Sequence, residues 1–101
     1  MKIEEKAMQA MELLKREFSI FGNGDPKKGL HLFMVTTARL THARKKHEWK
    51  GQTNEWGAWA VFDEAQELVE ATKYEQGKRH EQYEAVDTIA TAVRHYNREW
   101  E

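Results

Sequence analysis

Two pairs of acidic side chains, each pair three positions apart along the chain, indicate a candidate metal-binding cluster. Glu64 and Glu67 form the first pair, Glu84 and Asp87 form the second, and Asp63 lies beside the first pair. On a helix this spacing places both acids on one face, with Cβ atoms about 5–6 Å apart. Closely facing carboxylates repel one another, so four of them at one depth favour a bound cation such as Mg²⁺.

The chemistry that such a cluster offers follows from its ligand atoms. Mg²⁺ prefers oxygen ligands and keeps positions open for water and phosphate, and Mn²⁺ is an alternative in the same kind of site. Four carboxylates can hold two ions, or more if Asp63 takes part. Paired ions bind polyphosphates, activate water and stabilise the leaving oxygens. The pattern therefore predicts metal-assisted hydrolysis of a phosphate anhydride.

Two predicted helices joined by a tight turn carry these acids. The first is predicted over residues 54–76, with Thr53 or Asn54 as its N-cap and Gly77 as its C-terminal stop. The second is predicted over residues 79–100. If the helices fold back on each other, both pairs of acids lie about 10–20 Å from the turn and nearly level with each other.

The acidic stripe of the first of these helices also carries small residues. Ala60 and Ala71 lie on it before and after the acids, which predicts that another helix or a ligand approaches closely there. The other side is an apolar arc of Ala58, Val61, Phe62, Ala65, Leu68, Val69 and Thr72. The last helix repeats the division, with Glu84, Asp87, Thr91 and Arg94 on a face separate from its apolar residues.

Two further helices are predicted in the N-terminal half of the chain. Apolar residues recur at helical spacing over residues 2–20, and a break follows at Gly22 to Pro26. Asp25 reads as an N-cap and Pro26 as the first residue of a helix over residues 26–47. A short strand at Val35-Thr36-Thr37 is the minority alternative, since all three residues are β-branched.

Composition places the chain among soluble helical domains. It has 101 residues, of which 33% are charged and 40% apolar, and these values predict one domain over residues 1–101. The net charge of −1 gives no general attraction to nucleic acid or to membranes, and no apolar run approaches the length of a membrane span. The sequence has no cysteine and an acidic N-terminus without the apolar stretch of a signal peptide, so we expect a cytoplasmic protein.

The two acidic motifs resemble the signature of a known family. Asp63-Glu64-x-x-Glu67 and Glu84-x-x-Asp87 are similar to the E-E-x-x-E and E-x-x-D motifs of the MazG-like all-α nucleoside triphosphate pyrophosphohydrolases. The stretch from Ala43 to Gly51 resembles the segment before the acidic helix in small, often phage-borne, members. The resemblance covers about residues 39–98, and the helix over residues 2–20 has no counterpart in it.

The resemblance implies a fold and an activity. The fold is an all-α, four-helix bundle-like domain that forms homodimers or homotetramers. The activity is cleavage of a nucleoside triphosphate substrate between the α and β phosphates, giving monophosphate and pyrophosphate, with a role in nucleotide-pool cleansing. Its cofactor is Mg²⁺ bound by Glu64, Glu67, Glu84 and Asp87. Asp63 departs from the usual glutamate at its position.

A second departure from the family pattern and several supporting residues complete these expectations. Longer members continue into another helix, so here the first two helices or another subunit must complete the bundle. Arg94 and Lys73 are candidates for binding phosphate, with Lys45, Lys46 and Lys50 as weaker ones, and a surface ion pair is the alternative for Arg94. Trp49, Trp56 or Trp59 could stack on a nucleobase, or else pack in the core or a subunit interface.

Two other functions fit the sequence. The first is a catalytically silent helical protein that binds a nucleotide or a partner through the same acidic cleft. The second is a nucleic-acid accessory protein that uses the basic run from Arg39 to Lys50, which the acids elsewhere disfavour. The five histidines show no zinc-binding spacing.

Overall fold

The computed structural model describes residues 2–101, and these residues form four α-helices and no β-strand. The helices are α1 (Lys2–Phe21), α2 (Pro26–Lys46), α3 (Asn54–Lys73) and α4 (Lys78–Tyr96). This confirms the all-α prediction. The strand alternative at residues 35–37 is wrong, because these residues lie inside α2. None of the four helices is long and apolar enough to cross a membrane.

The chain divides into two compact units, Met1–Val35 and Thr36–Glu101. The helix α2 begins in the first unit and ends in the second. The acidic motifs all lie in the second unit. The single domain that composition predicts stays a prediction.

In the first unit, a short turn joins α1 to α2. Asn23 takes the left-handed conformation with φ 54°, and the Gly24 N–H donates to the carbonyl oxygen of Ser19 over 2.7 Å, which ends α1. The side chain of Asp25 accepts a hydrogen bond from the Lys27 N–H at 2.9 Å. The predicted N-cap at Asp25 and helix start at Pro26 are therefore confirmed.

Gly29 lets the backbones of α1 and α2 approach closely. A Cβ atom at this position would lie 1.7 Å from the carbonyl oxygen of Phe18, so no other residue fits without moving a helix. The rings of Phe18 and Phe33 pack nearby with centroids 5.7 Å apart. Across residues 2–21 no residue is buried within this chain.

In the second unit, α3 and α4 form an antiparallel pair. Ala71 is fully buried and Ala60 is half-buried, while Gly57 leaves room for His95 and Trp100 near the far end of α4. The prediction that a helix approaches the small-residue stripe of α3 is confirmed. Glu64 shares this stripe and is half-buried on the inner side of the pair, whereas Glu67 is exposed.

Part of the apolar arc of α3 faces outward, although Val61, Ala65 and Leu68 are half-buried. Phe62 and Val69 are more than half exposed, and so is the neighbouring Trp59. The rings of Trp59 and Phe62 make an edge contact with each other, with centroids 5.4 Å apart. Within one chain, therefore, large apolar side chains of α3 stay exposed while Glu64 is half-buried, which departs from the usual arrangement of an amphipathic helix.

The turn between α3 and α4 differs from the sequence prediction. α3 ends at Lys73 rather than at residue 76, and Glu75 takes the left-handed conformation with φ 52°. The Gln76 N–H donates to the carbonyl oxygen of Ala71 at 3.0 Å, which closes the helix end. Gly77 is therefore the N-cap of α4, with φ 101°, and not the stop of α3.

The end of α4 repeats this geometry. The helix ends at Tyr96, whereas the sequence predicts an end near residue 100. Arg98 has φ 54°, and the Glu99 N–H donates to the carbonyl oxygen of Arg94 at 3.2 Å. Residues other than glycine, Glu75 and Arg98, hold the left-handed position after both helix ends, so glycine does not mark either end.

Candidate metal and nucleotide site

Three of the predicted ligands meet between α3 and α4. One carboxylate oxygen each from Glu64, Glu84 and Asp87 can be chosen so that all three lie within 4.8 Å of one another. Glu84 and Asp87 come from one face of α4, and Glu64 comes from the inner side of α3. The antiparallel pairing of the helices thus produces the level arrangement that the spacing predicts.

Two oxygen atoms of this cluster lack a hydrogen-bond donor. Among residues 2–101, nothing donates to the buried Oε2 atoms of Glu64 and Glu84. Glu84 is only 8% exposed, and its other oxygen lies 3.4 Å from Nε2 of His80. A buried carboxylate oxygen without a donor is costly, and it is the condition that a cation would relieve.

The pKa values of the cluster record the same cost. Burial, with the negative charges of Glu67 and Asp87, raises the pKa of Glu64 to about 7. Burial also raises the pKa of Glu84, with further contributions from Glu67 and Asp87 that His80 partly offsets. Both glutamates therefore hold a proton more readily than free glutamate does, and a bound cation would reverse this.

Glu67 and Asp63 occupy more open positions. Glu67 is exposed and lies outside the group of three, although it is close enough to raise the pKa values of Glu64 and Glu84. A hydrogen bond between Glu67 and either acid requires a proton, since ionised carboxylates only accept. Asp63 is exposed as well, and it lines the cavity described next.

A cavity of about 530 Å³ opens beside the cluster within the second unit. Glu64 and Asp87 line it on the acidic side. Its other walls are formed by residues of α2 and the following loop, of α3 and of α4: Arg39, Ala43, Lys46, His47, Glu48, Trp49, Trp56, Ala60, Asp63, Ala90, Thr91 and Arg94. Its volume lies within the range of small-ligand sites.

Arg39 is the cavity residue that the sequence analysis did not single out. Its Nε donates to Oδ1 of Asp87 at 2.6 Å, and its guanidinium lies 4.7 Å from the ring centroid of Tyr83. The spacing of Arg39, Ala43 and Lys46 places them on one face of α2. All three line the cavity, so helical spacing groups Arg39 with its neighbours, although the spacing alone does not show that this face borders a cavity.

Arg94 has a different role from the predicted one. It is 4% exposed, and its Nε donates to Oε1 of Glu99 at 2.9 Å. Its two NH₂ groups donate to the carbonyl oxygens of Ala43 and His47, at 3.4 and 2.8 Å. Each nitrogen has a protein partner, so Arg94 is neither a surface ion-pair residue nor a free phosphate ligand, although it borders the cavity.

The three tryptophans that the sequence analysis named for base stacking lie in three different environments. Trp49 is buried, with the Arg94 guanidinium 4.4 Å from its ring and the Trp56 ring in edge contact at 5.1 Å. Trp56 lines the cavity and is 39% exposed, so it is the ring available to a nucleobase. Trp59 lies outside the cavity lining, against Phe62 on the outer face of α3.

The predicted lysines are also separated. Lys46 lines the cavity, whereas Lys45 and Lys50 do not. Lys73 lies in the last turn of α3, exposed and 5.6 Å from the ring centroid of Tyr74. Lys73 therefore lies apart from the cavity, and Lys46 is the one of the four predicted lysines that lines it.

Comparisons of the chain with protein-family models, with curated proteins and with solved structures gave no match. The resemblance to the MazG-like family therefore stays a prediction from the sequence. The acidic cluster and the adjoining cavity carry the functional assignment.

Proposed function

We propose that this protein is a Mg²⁺-dependent nucleoside triphosphate pyrophosphohydrolase of the cytoplasm, which cleaves its substrate to a monophosphate and pyrophosphate. The observation that supports the proposal most is the pair of buried oxygens without a donor on Glu64 and Glu84, two acids that converge with Asp87 beside a cavity. Three converging carboxylates fit the hard oxygen ligands that Mg²⁺ requires, and Mn²⁺ fits the same set.

The charges around the cavity suit a triphosphate held by a metal ion. Glu64, Glu84 and Asp87 would hold the cation, and Glu67 lies close enough to join them. Arg39 and Lys46 bring positive charge to the neighbouring wall, where phosphate oxygens need it. The exposed ring of Trp56 lines the same cavity and offers a surface for the base.

The reaction is a displacement at the α-phosphorus. Oxygen of a water molecule forms a bond to this phosphorus and the water releases a proton to solvent, while the anhydride bond to the β-phosphate breaks and pyrophosphate leaves with the electron pair. Mg²⁺ in the cluster would polarise the phosphate oxygens and lower the pKa of water. The carboxylates of Glu64 and Glu84 must be deprotonated to bind it, which links the activity to the raised pKa values of both residues.

We also propose that the protein assembles as a homodimer or homotetramer. Trp59, Phe62 and Val69 are all more than half exposed on the outer side of α3. Clustered exposed aromatic and aliphatic side chains mark protein interfaces more often than free surface. Sedimentation of the purified protein tests this part, and a monomer at micromolar concentration would contradict it.

Product analysis tests the proposed activity directly. The purified protein is incubated with Mg²⁺ and a panel of ribo- and deoxyribonucleoside triphosphates, and the products are separated by chromatography. Monophosphate plus pyrophosphate is the expected result, and the panel also ranks the bases. Glu70→Gln is the matched control for substitutions of the cluster acids, because Glu70 is an exposed acid of α3 outside the cavity.

Other product patterns would decide against the proposal in different ways. Diphosphate plus phosphate would retain the metal site and contradict the choice of bond. Absence of turnover, with tight nucleotide binding by folded protein, would favour a catalytically silent nucleotide-binding protein. Salt-sensitive binding of DNA or RNA without turnover would favour the nucleic-acid accessory role for the basic run of α2.

A further inference from the structure

Arg39 forms an ion pair with an acid of the candidate metal cluster. Its Nε lies 2.6 Å from Oδ1 of Asp87, with 32% of the arginine side chain and 15% of the aspartate side chain exposed. Asp87 is also one of the three acids whose oxygens converge. The arginine therefore provides positive charge at a carboxylate that a divalent cation would use.

Tyr83 supports the arginine from the side. The guanidinium carbon lies 4.7 Å from the Tyr83 ring centroid, and Tyr83 precedes Asp87 by one turn of α4. A guanidinium over an aromatic ring gains a cation–π attraction that does not depend on the carboxylate. Arg39 thus keeps one partner when it releases the other, and its fork can reorient without losing its place on the cavity wall.

A divalent cation and Arg39 compete for Asp87. Two positive groups at one carboxylate repel each other, so the arginine weakens cation binding as long as it faces the acid. A triphosphate in the cavity changes this balance, because the planar guanidinium fork matches phosphate oxygens and is drawn to their negative charge. Asp87 is then left to the cation.

We propose that Arg39 exchanges partners during binding: it neutralises Asp87 in the metal-free protein and turns to the substrate triphosphate when a divalent cation takes Asp87. This role rests on the proposed function of the site. It makes Arg39 a substrate-binding residue and couples the two ligands, since each one favours the state that the other binds. Reciprocal coupling of this kind changes affinity by about 5–150-fold.

Binding without turnover tests the exchange. Mn²⁺ is titrated into metal-free protein and followed by electron paramagnetic resonance, with and without a triphosphate analogue that carries a methylene bridge between the α and β phosphates. The variants are Arg39→Gln, Arg39→Lys and the control Lys45→Gln, which removes one charge from the same helix outside the cavity.

The two affinities of Arg39→Gln should change in opposite directions. Mn²⁺ alone should bind Arg39→Gln at least about 5-fold more tightly than it binds wild type. The analogue should bind this variant at least about 10-fold more weakly than it binds wild type. A residue with a purely structural role would weaken both. Arg39→Lys keeps the charge and loses the fork, so its Mn²⁺ affinity should stay near that of wild type while analogue affinity falls.

Three results would overturn the inference. Weaker or unchanged Mn²⁺ binding by Arg39→Gln would remove the competition for Asp87. Unchanged analogue binding by both Arg39 variants would remove the contact with phosphate. Absence of Mn²⁺ binding by wild type would leave Arg39 no cation to exchange with and would contradict the proposed function as well. If wild type binds Mn²⁺ and turns over substrate normally, a failed prediction for the variants contradicts only the role of Arg39. If Arg39→Gln does not fold by circular dichroism, Arg39→Lys carries the same decision through the analogue.

Discussion

Two buried charged groups on α4 lie ten positions apart, and their surroundings differ sharply. Arg94 donates to Glu99 and to two backbone carbonyl oxygens, and it also faces the ring of Trp49. The Oε1 atom of Glu84 lies 3.4 Å from Nε2 of His80, and its Oε2 atom has no donor among the residues that the structure describes. At the arginine end of the helix pair, protein groups accept a hydrogen bond from each nitrogen of the buried charge. At the glutamate end, a buried carboxylate oxygen has no donor among the described residues.

The carboxylates at the two ends respond in opposite directions. Burial acts to raise the pKa of Glu99, but hydrogen bonds from Arg44 and Arg94 outweigh it, and the pKa falls below its usual value. Burial and neighbouring acids raise the pKa values of Glu64 and Glu84 instead. One end is therefore built for stability. The other carries a cost of folding that a bound cation would remove.

Glu84→Gln tests the functional end and should produce the largest effect. The substitution keeps the shape of the side chain and removes its charge, so we expect Mg²⁺-dependent turnover to fall by more than about 100-fold, because even an indirect partner of a metal site is worth about 10–100-fold. The helical circular dichroism signal should stay intact. Initial rates with the best substrate of the panel measure the loss, and a variant with at least half of wild-type activity would remove Glu84 from the site.

Arg94→Met tests the structural end. The change leaves Glu99 with Arg44 alone and removes two donors to backbone carbonyl oxygens, so the free energy of unfolding should fall by about 2–3 kcal/mol. Urea unfolding followed by circular dichroism gives the value.

Arg98→Met is the matched control for that change. Arg98 pairs with Glu101, and both side chains are more than half exposed. An exposed pair contributes little, so the loss should stay below about 1 kcal/mol. Equal losses in the two variants would erase the difference between the buried arginine and a surface one.

The pH dependence of Glu64→Gln should give a smaller effect. Below pH 4.5 Glu64 is protonated in both the folded and unfolded states; as the pH rises towards 7 the unfolded chain releases the proton that the folded protein retains, and the free energy of unfolding falls. Removing this carboxyl in metal-free protein should therefore stabilise the fold by about 1–2 kcal/mol at pH 8, with allowance for its partial exposure, and by much less at pH 5. Urea unfolding at both pH values measures the difference in free energy of unfolding between the variant and wild type. A difference that does not change with pH would show that Glu64 carries no such cost.

Much of this arrangement could be predicted from local sequence. The cap at Asp25, the starts of α2 and α3 and the convergence of acids from α3 and α4 follow from residue type and helical period. The side chain of Thr53 accepts from the Trp56 N–H, which settles the choice that the sequence left between Thr53 and Asn54. The caps and helix starts depend on contacts within a few positions of the chain, and the convergence of the acids depends on their similar distances from the short turn between α3 and α4.

The features that could not be predicted depend on contacts between distant positions. Arg39 meets Asp87 from 48 positions away, and Arg94 reaches His47 from a similar distance. Nothing in the local pattern distinguishes an arginine that faces a cavity from one that is fully paired. The ends of α3 and α4, at Lys73 and Tyr96, were misplaced for another reason, because Glu75 and Arg98 take the left-handed conformation in which local propensity favours glycine.

Thermal unfolding with increasing Mg²⁺ tests the central claim most directly, since it compares the two ends without any substrate. At pH 8 a saturating concentration should raise the Tm of wild type by about 5 °C or more, because the cation binds the folded state and relieves the repulsion among its acids. Arg98→Met should show the same shift, and Glu84→Gln should show almost none. A wild-type Tm that stays flat up to millimolar Mg²⁺, or an equal shift in Glu84→Gln, would contradict a cation site between α3 and α4.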